Sequence, residues 1–460
     1  MSDQATQHAS SYRDPSGFIF IKDGVIYRQV NQSFKNEFDF FIESGCYKNF
    51  AEKKLLISHE VVRENLTDSP EYYLTLKPER IEFISYPYEW SFDMLKDAAL
   101  LTLQLAKEAV DFGLILKDAT PFNIQWHNDQ LIFIDTLSFE KYDETKPWIA
   151  YRQFCECFLA PLLLMHYSQQ PLHLLLSAYP EGIPLNVTKK LLPRKSRFSL
   201  YTYLHIHLHA KIAAANKPNN SVKASFTKQK LLNLISSLQA LINKLTFPHQ
   251  QSVWSEYYDE ASTRSDYLVQ KKSVIENWLK AIPEIKTAVD LGANDGGFSR
   301  LLAAKNIKVV AADADAWCIN NLYKEIRSTG LHNIQPLLID LANPSPAIGV
   351  NNNERDSFLF RCKADLVLAL AVVHHLVIGK NISFDQTAKL FSGAGNYLFI
   401  EFVPKEDEKI KIMLSHKKDI YINYNEGNFL EAYQKFYAVI ERKEMMNSGR
   451  VLFLLKKKSS

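Results

Sequence analysis

The sequence has 460 residues, which is long for a single hydrophobic core and favours two or three domains. Apolar residues make up 47% and charged residues 23%, as in water-soluble globular proteins, and the net charge of +3 gives no reason to expect a nucleic-acid partner. The five cysteines lack the spacing of metal ligands and favour free thiols in a reducing compartment. The polar N-terminus and the absence of a long uncharged apolar run predict a cytoplasmic protein without a membrane span.

The first half of the chain has two kinds of pattern. Residues 1–15 are polar and are predicted to form a disordered tail. Residues 16–88 have the strand and turn signals of a small β-rich lobe, and residues 89–245 are mostly helical. The predicted elements, in chain order, are a hairpin over residues 17–30 that turns at residues 22–24, a helix over 32–44, strands over 72–77 and 80–86, a helix over 93–112, an apolar helix interrupted at Pro161 and a helix over 230–245.

Three polar residues, Asp118, Asn123 and Asp135, stand at the spacing D-x4-N-x11-D around a predicted hairpin. This segment resembles the catalytic segment of the protein-kinase-like and aminoglycoside-phosphotransferase-like fold. The resemblance implies that Asp118 accepts a hydroxyl proton, that Asn123 holds a metal, and that Asp135 holds Mg²⁺ between the phosphates of ATP. It also implies that residues 16–245 form an α+β kinase-like domain with a helical second lobe.

Several features of this segment depart from the family. The residues that flank the two aspartates lack the histidine and the Phe-Gly pair that the family carries there, and no glycine-rich phosphate loop is evident. No V-A-I-K lysine is present either; Arg28 is the nearest cation in a predicted strand, with Glu37 as a candidate helix partner. Since a bidentate arginine differs from a point-charge lysine at a phosphate, a kinase-shaped domain without phosphoryl transfer stays open.

Histidines alternate with apolar residues at His205, His207 and His209. In a strand, this spacing would place three imidazoles on one face, where they could meet a metal. Since no fourth ligand or carboxylate is near, we interpret them as surface or satisfied histidines and predict no metal site. Residues 217–228 are polar and predict a loop or flexible link.

Residues 287–302 carry the strongest signal in the sequence. A short apolar run is followed by a turn containing Gly292 and Gly296 and then by an apolar-periodic helix. The free backbone N–H groups of such a strand–turn–helix junction bind the polar group of a small ligand. Asp313 follows Gly292 by 21 positions, the distance at which nucleotide-binding α/β folds place an acid on a ribose hydroxyl pair.

From residue 287 onward, strand and helix patterns alternate, which predicts right-handed crossovers and a parallel sheet. The predicted strands are residues 287–291, 308–312, 334–339, 365–370 and 396–401, followed by an antiparallel pair at 436–442 and 450–457. This plan resembles the seven-stranded, Rossmann-like α/β sheet of class I S-adenosylmethionine-dependent methyltransferases. The resemblance covers about residues 255–457, within a domain predicted over residues 250–458.

The resemblance to these methyltransferases implies a binding site for S-adenosylmethionine. Asp290, Gly292 and Gly296 match the acidic-x-Gly-x-x-x-Gly loop around the methionine part of the cofactor. Asp313 matches the acid on the ribose hydroxyls, and Asp340 matches the polar residue beside the adenine amino group. The other residues assigned to the cofactor flank these matches: Ala293, Asn294, Ala314, Leu341 and Ala369.

The chemistry of the turn separates this cofactor from a dinucleotide. A pyrophosphate needs close backbone approach at the second glycine of G-x-G-x-x-G, and Asn294 stands at that position. Asp295 adds negative charge where a phosphate would be repelled. A sulfonium cofactor carries positive charge on its sulfur and its ammonium group and no phosphate, so acids in the turn favour S-adenosylmethionine.

Methyl transfer requires positioning, and an oxygen or nitrogen acceptor can also require a base. The candidates are His374 and His375 after the fourth predicted strand and Glu401 at the end of the fifth, where ligands bind in open α/β sheets. For the histidines, packing at a helix start or in the core is the alternative; for Glu401, the alternative is a structural acid at the end of the sheet. The aromatic and acidic segment at 254–267 is interpreted either as a lid or as a cover for the sheet edge.

Three functions stay open. The first is a methyltransferase for a small-molecule or glycoconjugate acceptor, in which the N-terminal domain binds the acceptor or a partner. The whole architecture resembles bacterial two-part methyltransferases, including some associated with nodulation. The second is a bifunctional protein whose kinase-like half also phosphorylates a hydroxyl with Mg-ATP. The third is a non-catalytic scaffold.

Overall fold

The computed structural model describes residues 5–214, 226–247, 265–415 and 418–458. The chain divides into two compact units. Unit 1 comprises residues 1–248 together with Ile348–Arg355, and unit 2 comprises the rest. Most of the predicted link at 217–228 and most of the predicted lid segment at 254–267 lie outside the described residues.

Unit 1 contains a β-rich part followed by a helical part. Its strands are β1 (Thr6–Gln7), β2 (Gly17–Lys22), β3 (Val25–Asn31), β4 (His59–Val62), β5 (Tyr72–Pro78), β6 (Leu114–Leu116), β7 (Ile124–His127), β8 (Gln130–Phe133) and β9 (Phe139–Lys141). Its α-helices are α1 (Lys35–Glu43), α2 (Cys46–Glu52), α3 (Phe92–Ala109), α4 (Tyr151–Phe154), α5 (Ala160–Ser168), α6 (Leu175–Ala178), α7 (Leu185–Leu191), α8 (Leu200–Thr202), α9 (His209–Ala214) and α10 (Lys228–Lys244).

The main sheet of unit 1 is antiparallel, with strand order β1-β2-β3-β5-β4. The predicted hairpin is confirmed, and it turns through Asp23 (φ 51°) and Gly24 (φ 73°), both left-handed as a tight hairpin requires. The buried side chains of Val30, Phe38 and Leu76 pack together on this sheet and form part of the core of the unit.

Two predictions in the β-rich part differ from the structure. Thr6–Gln7 pairs with β2, so the predicted disordered tail is wrong at these residues. Residues 80–86 form no strand, and β4 pairs with β5 instead. Around Ser85 a side chain replaces the ladder partner: Gln125 accepts a hydrogen bond from the Ser85 N–H (2.9 Å) and donates one to its carbonyl (3.0 Å).

The helical part follows local signals closely. Ser91 caps α3 by accepting from the Met94 N–H (3.4 Å), and the following turn ends at Gly113 (φ 73°). At the predicted interruption before Pro161, a π-helical turn joins α4 to α5, which accommodates a residue without an N–H. His205 and His207 lie in a second π-helical turn, Tyr203–Leu208, and not in the strand that their spacing would allow.

Unit 2 alternates strands and helices. Its strands are β10 (Thr287–Leu291), β11 (Lys308–Asp313), β12 (Ile334–Leu338), β13 (Ala364–Ala369), β14 (Gly395–Phe402), β15 (Tyr437–Glu444) and β16 (Val451–Lys457). Its α-helices are α11 (Ser265–Ala281), α12 (Gly297–Ala303), α13 (Ala316–Thr329), α14 (Phe358–Arg361), α15 (Phe384–Ser392), α16 (Glu408–Ser415) and α17 (Glu426–Gln434).

The described residues of unit 2 contain a seven-stranded sheet of order β12-β11-β10-β13-β14-β16-β15. The first five strands are parallel, and β16 and β15 are antiparallel, which confirms the predicted α/β sheet. The strand order reverses at β10, with β11 on one side and β13 on the other. In open α/β sheets, this reversal creates a crevice at the carboxyl ends of the strands.

In the part of the chain that the structure describes, every helix is too short or too polar to cross a lipid bilayer.

Candidate active site

The turn after β10 is built around two glycines that no other residue could replace without strain. Gly292 has φ 82°, and a Cβ there would lie 2.1 Å from Cγ2 of Val372. Gly296 has φ 84°, and its Cβ would lie 2.8 Å from the Leu322 side chain. The Gly292 N–H donates to the carbonyl of Ala312 on β11 (2.8 Å), which fixes the turn against the neighbouring strand.

Asp313 joins this turn to the end of β11. Its Oδ2 accepts from the backbone N–H of Asn294 (2.8 Å) and its Oδ1 from the N–H of Asp315 (2.8 Å). A carboxylate has further lone pairs, so both oxygens keep acceptor capacity for hydroxyl groups. Burial raises the pKa of Asp313, and the two backbone N–H groups act in the opposite direction.

Two further acids lie at the turn. Asp290 is 3% exposed, and the Ser299 hydroxyl donates to it (2.7 Å). Burial raises the pKa of Asp290 to about 6. Asp295 accepts from the Gly297 N–H (3.0 Å), and the Arg300 guanidinium lies 3.5 Å from its carboxylate. The turn therefore offers negative charge in a partly desolvated setting, which suits a cationic ligand.

The end of β12 lies beside Asp313, whose carbonyl accepts from the Ile339 N–H (2.8 Å). Asp340 follows, and its Oδ1 accepts from the Ala342 N–H (2.9 Å) while Lys380 Nζ lies 3.9 Å from Oδ2. The remaining residues assigned to the cofactor are small or apolar: Ala293 and Leu341 are buried, Ala314 is exposed, and Ala369 is buried on β13.

Both candidate histidines lie in the turn after β13, which also contains Val372, the residue packed against Gly292. His374 is 1% exposed, and among the described residues neither of its ring nitrogens has a hydrogen-bond partner. Its ring centroid lies 4.0 Å from that of His375. Burial lowers the pKa of His374 well below its usual value and, together with Arg450, lowers that of His375 to about 4, so both imidazoles are neutral near pH 7.

The same turn contains a strained residue that the sequence did not reveal. Ala371 has φ 55°, a left-handed conformation that an alanine adopts only when its surroundings enforce it. It lies two residues after the end of β13 and precedes Val372, whose Cγ2 occupies the space that a Cβ on Gly292 would take. The predicted cofactor turn and the predicted catalytic histidines are therefore adjacent.

Glu401 lies in a buried ionic cluster, together with Tyr267, Lys271, Asp407 and Arg450. Lys271 Nζ lies 2.5 Å from Glu401 Oε2, the Tyr267 hydroxyl donates to Oε1, and Arg450 Nη1 lies 3.5 Å from Oε1. Arg450 also pairs with Asp407 through Nε (2.8 Å) and Nη2 (3.1 Å). Burial acts to raise the pKa of Glu401, but the two cations and the hydrogen bonds hold it below its usual value.

Sequence reasoning singled out Glu401 and missed its partners, although α11 carried a signal. Tyr267 and Lys271 are spaced with Val274, Ile275 and Trp278 so that all five fall on one face of a helix. A lysine on an otherwise apolar face predicts a buried ammonium group with an acidic partner. Lys271 is 4% exposed.

In unit 1, the three residues of the D-x4-N-x11-D pattern lie together. Asn123 Nδ2 donates to Asp118 Oδ2 (3.2 Å) and to Ser138 Oγ (3.4 Å), and the Ser138 hydroxyl donates to Asp135. Gln153 Nε2 donates to the other oxygen of Asp118 (2.7 Å). Burial and the nearby Asp135 charge raise the pKa of Asp118.

The predicted pairing of Arg28 with Glu37 is wrong. Arg28 pairs with Asp135, whereas Glu37 accepts from the backbone N–H of Lys141 (2.8 Å). Burial acts to raise the pKa of Asp135, but the Arg28 guanidinium and the hydrogen bonds outweigh it and lower the pKa. Asp135 is therefore ionised and paired with a cation.

His205 and His207 have hydrogen-bond partners, whereas the His209 ring stacks on the Tyr151 ring (4.7 Å between centroids) and its Nδ1 has no hydrogen-bond partner among the described residues. His205 contacts the Tyr151 hydroxyl (2.8 Å) and the Ser237 hydroxyl (3.0 Å), and His207 contacts the Ser196 hydroxyl (2.8 Å). Within residues 5–214, 226–247, 265–415 and 418–458, no three His, Cys, Asp or Glu side chains are grouped so that they could hold a metal ion.

Comparison with known protein families found no family model that matches. Nodulation protein NoeA of Rhizobium meliloti (strain 1021) is 31% identical to this chain over 460 residues, which cover 97% of this chain and 95% of that protein. The chain belongs to the NoeA family.

Among solved structures, this NoeA-family chain is similar to three methyltransferases. N-methyltransferase NodS from Bradyrhizobium japonicum WM9, in complex with S-adenosyl-L-homocysteine, is 10% identical, with 42% of this chain and 88% of that chain covered and a TM-score of 0.32. Magnesium protoporphyrin IX methyltransferase from Synechocystis PCC 6803, also with S-adenosylhomocysteine bound, is 14% identical, with coverages of 46% and 90% and a TM-score of 0.31. The bifunctional kinase-methyltransferase WbdD is 19% identical, with coverages of 48% and 46% and a TM-score of 0.31.

Proposed function

We propose that unit 2 binds S-adenosylmethionine and catalyses transfer of its methyl group to a small-molecule or glycoconjugate acceptor. The observation that carries this proposal is the position of the Asp313 carboxylate, 2.8 Å from the Asn294 N–H of the glycine turn, at the carboxyl end of the strand next to β10. An acid there suits a ribose hydroxyl pair. Asp295 adds an acid where a pyrophosphate would bind in a dinucleotide fold, which favours a cofactor with cationic groups and no phosphate.

The residues of the turn fit this cofactor. Because they lack a Cβ, Gly292 and Gly296 let the turn pack against Val372 and Leu322, and we assign Asp313 to the ribose hydroxyls and Asp340 to the adenine amino group. Asp290 provides negative charge for the ammonium group of the methionine part. When bound, the cofactor supplies an electrophilic methyl group on its sulfonium sulfur.

His374 and His375 are proposed to face the acceptor. Because burial keeps both imidazoles neutral, a ring nitrogen can accept the hydrogen bond of an acceptor hydroxyl or amine. Among the described residues the His374 nitrogens have no hydrogen-bond partner, and since this ring is only 1% exposed, the acceptor has to reach it inside the crevice. Glu401 is the weaker candidate for the base, since its carboxylate is already held by Lys271 and Arg450. We propose that it organises the acceptor side of the crevice instead.

The name of the Rhizobium meliloti relative links that protein to nodulation. Since the present chain belongs to the same family, we extend this to its acceptor: a molecule that takes part in nodulation is the first class to test.

Thermal unfolding with added ligand tests the cofactor assignment. A ligand at about 100 times its dissociation constant stabilises the folded state by about 2.7 kcal/mol. S-adenosylmethionine and S-adenosylhomocysteine should therefore raise the melting temperature. Asp313→Ala should weaken binding about 10- to 100-fold through the loss of charge-assisted hydrogen bonds.

Glu284→Ala is the matched control, because it also removes a carboxylate. Glu284 is exposed and precedes the amino end of β10, whereas the proposed cofactor site lies at the carboxyl ends of the strands. This variant should leave the ligand-induced shift unchanged. Equal shifts in the Asp313 variant and the wild type would show that Asp313 does not contribute to cofactor binding, and would contradict the assignment.

A second function, phosphorylation of a hydroxyl by unit 1 with Mg-ATP, is favoured by one observation. Asp118, Asn123 and Asp135 are joined by hydrogen bonds through Ser138, in an arrangement suited to a proton acceptor beside metal ligands. For a metal to bind Asp135, its ion pair with Arg28 has to open.

The scaffold function predicts that neither nucleotide nor S-adenosylmethionine binds.

Mg-ATP should raise the melting temperature of the wild type if this second function holds, and Asp135→Asn should abolish the shift. The control is Asp111→Asn, whose side chain is 69% exposed and pairs with Lys228. Two outcomes would argue against metal binding at Asp135. Mg-ATP could fail to raise the melting temperature of the wild type, or it could raise that of Asp135→Asn by the same amount.

A further inference from the structure

Charge is segregated along unit 1. The whole chain has 51 acidic residues, yet none lies between residues 182 and 255, a stretch that is rich in lysine and arginine. Because the net charge of the protein is only +3, this stretch is far more basic than the remainder. Its described part includes six cations in and around α7, α8 and α9: Lys189, Lys190, Arg194, Lys195, Arg197 and Lys211.

Large apolar side chains are exposed between these cations. Phe198 is 91% exposed, Leu200 66%, Ile212 65% and Leu191 58%. Single exposed apolar residues are common, but a phenylalanine almost fully in water, with several aliphatic neighbours along the same basic stretch, is typical of an interaction surface. We name the exposed side chains of residues 189–200 and 211–212 the basic apolar patch.

The elements of the patch meet around one buried histidine. The Ser196 hydroxyl lies 2.8 Å from His207 Nε2, which ties the turn Arg194–Phe198 to the π-helical turn Tyr203–Leu208. Burial lowers the pKa of His207, and the charges of Arg197 and Lys189 lower it further, so both cations lie near its ring. The patch is therefore a surface on one part of the fold and not only a run in the sequence.

The acid next to the patch is already neutralised. Glu156 accepts from Arg152 Nε (3.0 Å) and from the Leu185 N–H at the start of α7 (3.3 Å). Its side chain is 13% exposed. The charge of Glu156 is therefore taken up by Arg152 and by the start of α7 and does not neutralise the cations of the patch.

We propose that the basic apolar patch binds peripherally to a membrane surface that contains anionic lipids. Lysine and arginine side chains attract anionic headgroups, and apolar side chains enter the boundary between headgroups and acyl chains. Nucleic acid would also match the charge, but aliphatic side chains such as Leu191, Leu200 and Ile212 do not stack on bases as aromatic ones do. The mixture of cations with exposed aliphatic groups therefore favours a lipid surface.

Vesicle flotation of the full chain tests this inference. The protein should float with vesicles of phosphatidylcholine and phosphatidylglycerol, should bind vesicles of phosphatidylcholine alone much more weakly, and should be released by salt. Arg194→Gln and Lys195→Gln should each reduce the partition coefficient about fivefold, since a cation near an anionic surface contributes about 1 kcal/mol. Phe198→Ser should reduce it in addition, and unchanged circular dichroism melting would show that the fold is intact.

Matched controls exist in unit 2. Ile422 is 87% exposed and Lys324 is also exposed, so Ile422→Ser and Lys324→Gln remove the same types of group from another surface. Absence of flotation with anionic vesicles, equal binding to both vesicle types, or losses in the controls as large as those in the patch would overturn the proposal. The proposal would also be overturned if duplex DNA or RNA displaced the protein from vesicles and Phe198→Ser abolished binding of that nucleic acid.

Discussion

Lys271 and Glu401 illustrate how neighbours set the role of an ionisable residue. The ammonium group lies 2.5 Å from the carboxylate, Lys271 is 4% exposed and Glu401 is fully buried. An isolated charge in such a place would be costly, but the cluster with Arg450 and Asp407 balances two cations against two acids. This balance explains why Glu401 stays ionised and why it is a poor proton acceptor for catalysis.

Lys271→Met should lower the free energy of unfolding by about 3–5 kcal/mol, because it leaves a buried carboxylate without its closest cation. Lys272→Met is the control at the neighbouring position, where the side chain is exposed, and should change stability by less than about 0.5 kcal/mol. Denaturant unfolding monitored by circular dichroism measures both. Similar values for the two variants would contradict a buried ion pair at Lys271.

At the scale of elements, the sequence predicted those whose signals are local. The strands of the unit 2 sheet are short apolar runs, and the helix over α3 has a serine cap and a terminal glycine, so periodicity located them. The strand predicted over residues 80–86 is wrong. Their sequence alternates as in a strand, but the Ser85 backbone forms its hydrogen bonds with the Gln125 side-chain amide, from a distant part of the chain, and not with a neighbouring strand. The left-handed Ala371 was equally invisible, since its conformation is imposed by packing and not by residue type.

The glycine turn gives a prediction at this scale. Gly292→Ala should destabilise unit 2 by more than the roughly 1–2 kcal/mol of a left-handed alanine, because the new Cβ would lie 2.1 Å from Val372 Cγ2. Gly330→Ala is the control: its φ is also positive at 68°, but a Cβ there meets nothing within 4 Å. Thermal melts of both variants measure the difference, and adding Val372→Ala to Gly292→Ala should recover part of the loss. Equal destabilisation by the two glycine substitutions would mean that Val372 does not restrict the turn.

At the scale of the whole molecule, long-range contacts limited what the sequence predicted. The segment Ile348–Arg355 was predicted to belong to the C-terminal domain, but it groups with unit 1. There Glu354 accepts a hydrogen bond from the Tyr12 hydroxyl (2.6 Å) and forms an ion pair with Arg13 (3.0 Å). Tyr12 and Glu354 are 342 positions apart, and a local sequence pattern cannot predict such a contact. The residues proposed for the cofactor, in contrast, were predicted from a spacing within one strand–turn–helix unit and the next strand, which is a local signal.

Isothermal titration of the full chain with S-adenosylhomocysteine, and separately with NAD⁺, tests the central assignment most directly. The acids of the glycine turn and the position of Asp313 predict saturable binding of S-adenosylhomocysteine at a single site, and no binding of NAD⁺. The absence of heat with S-adenosylhomocysteine, or competition between the two ligands for one site with NAD⁺ the tighter, would contradict it.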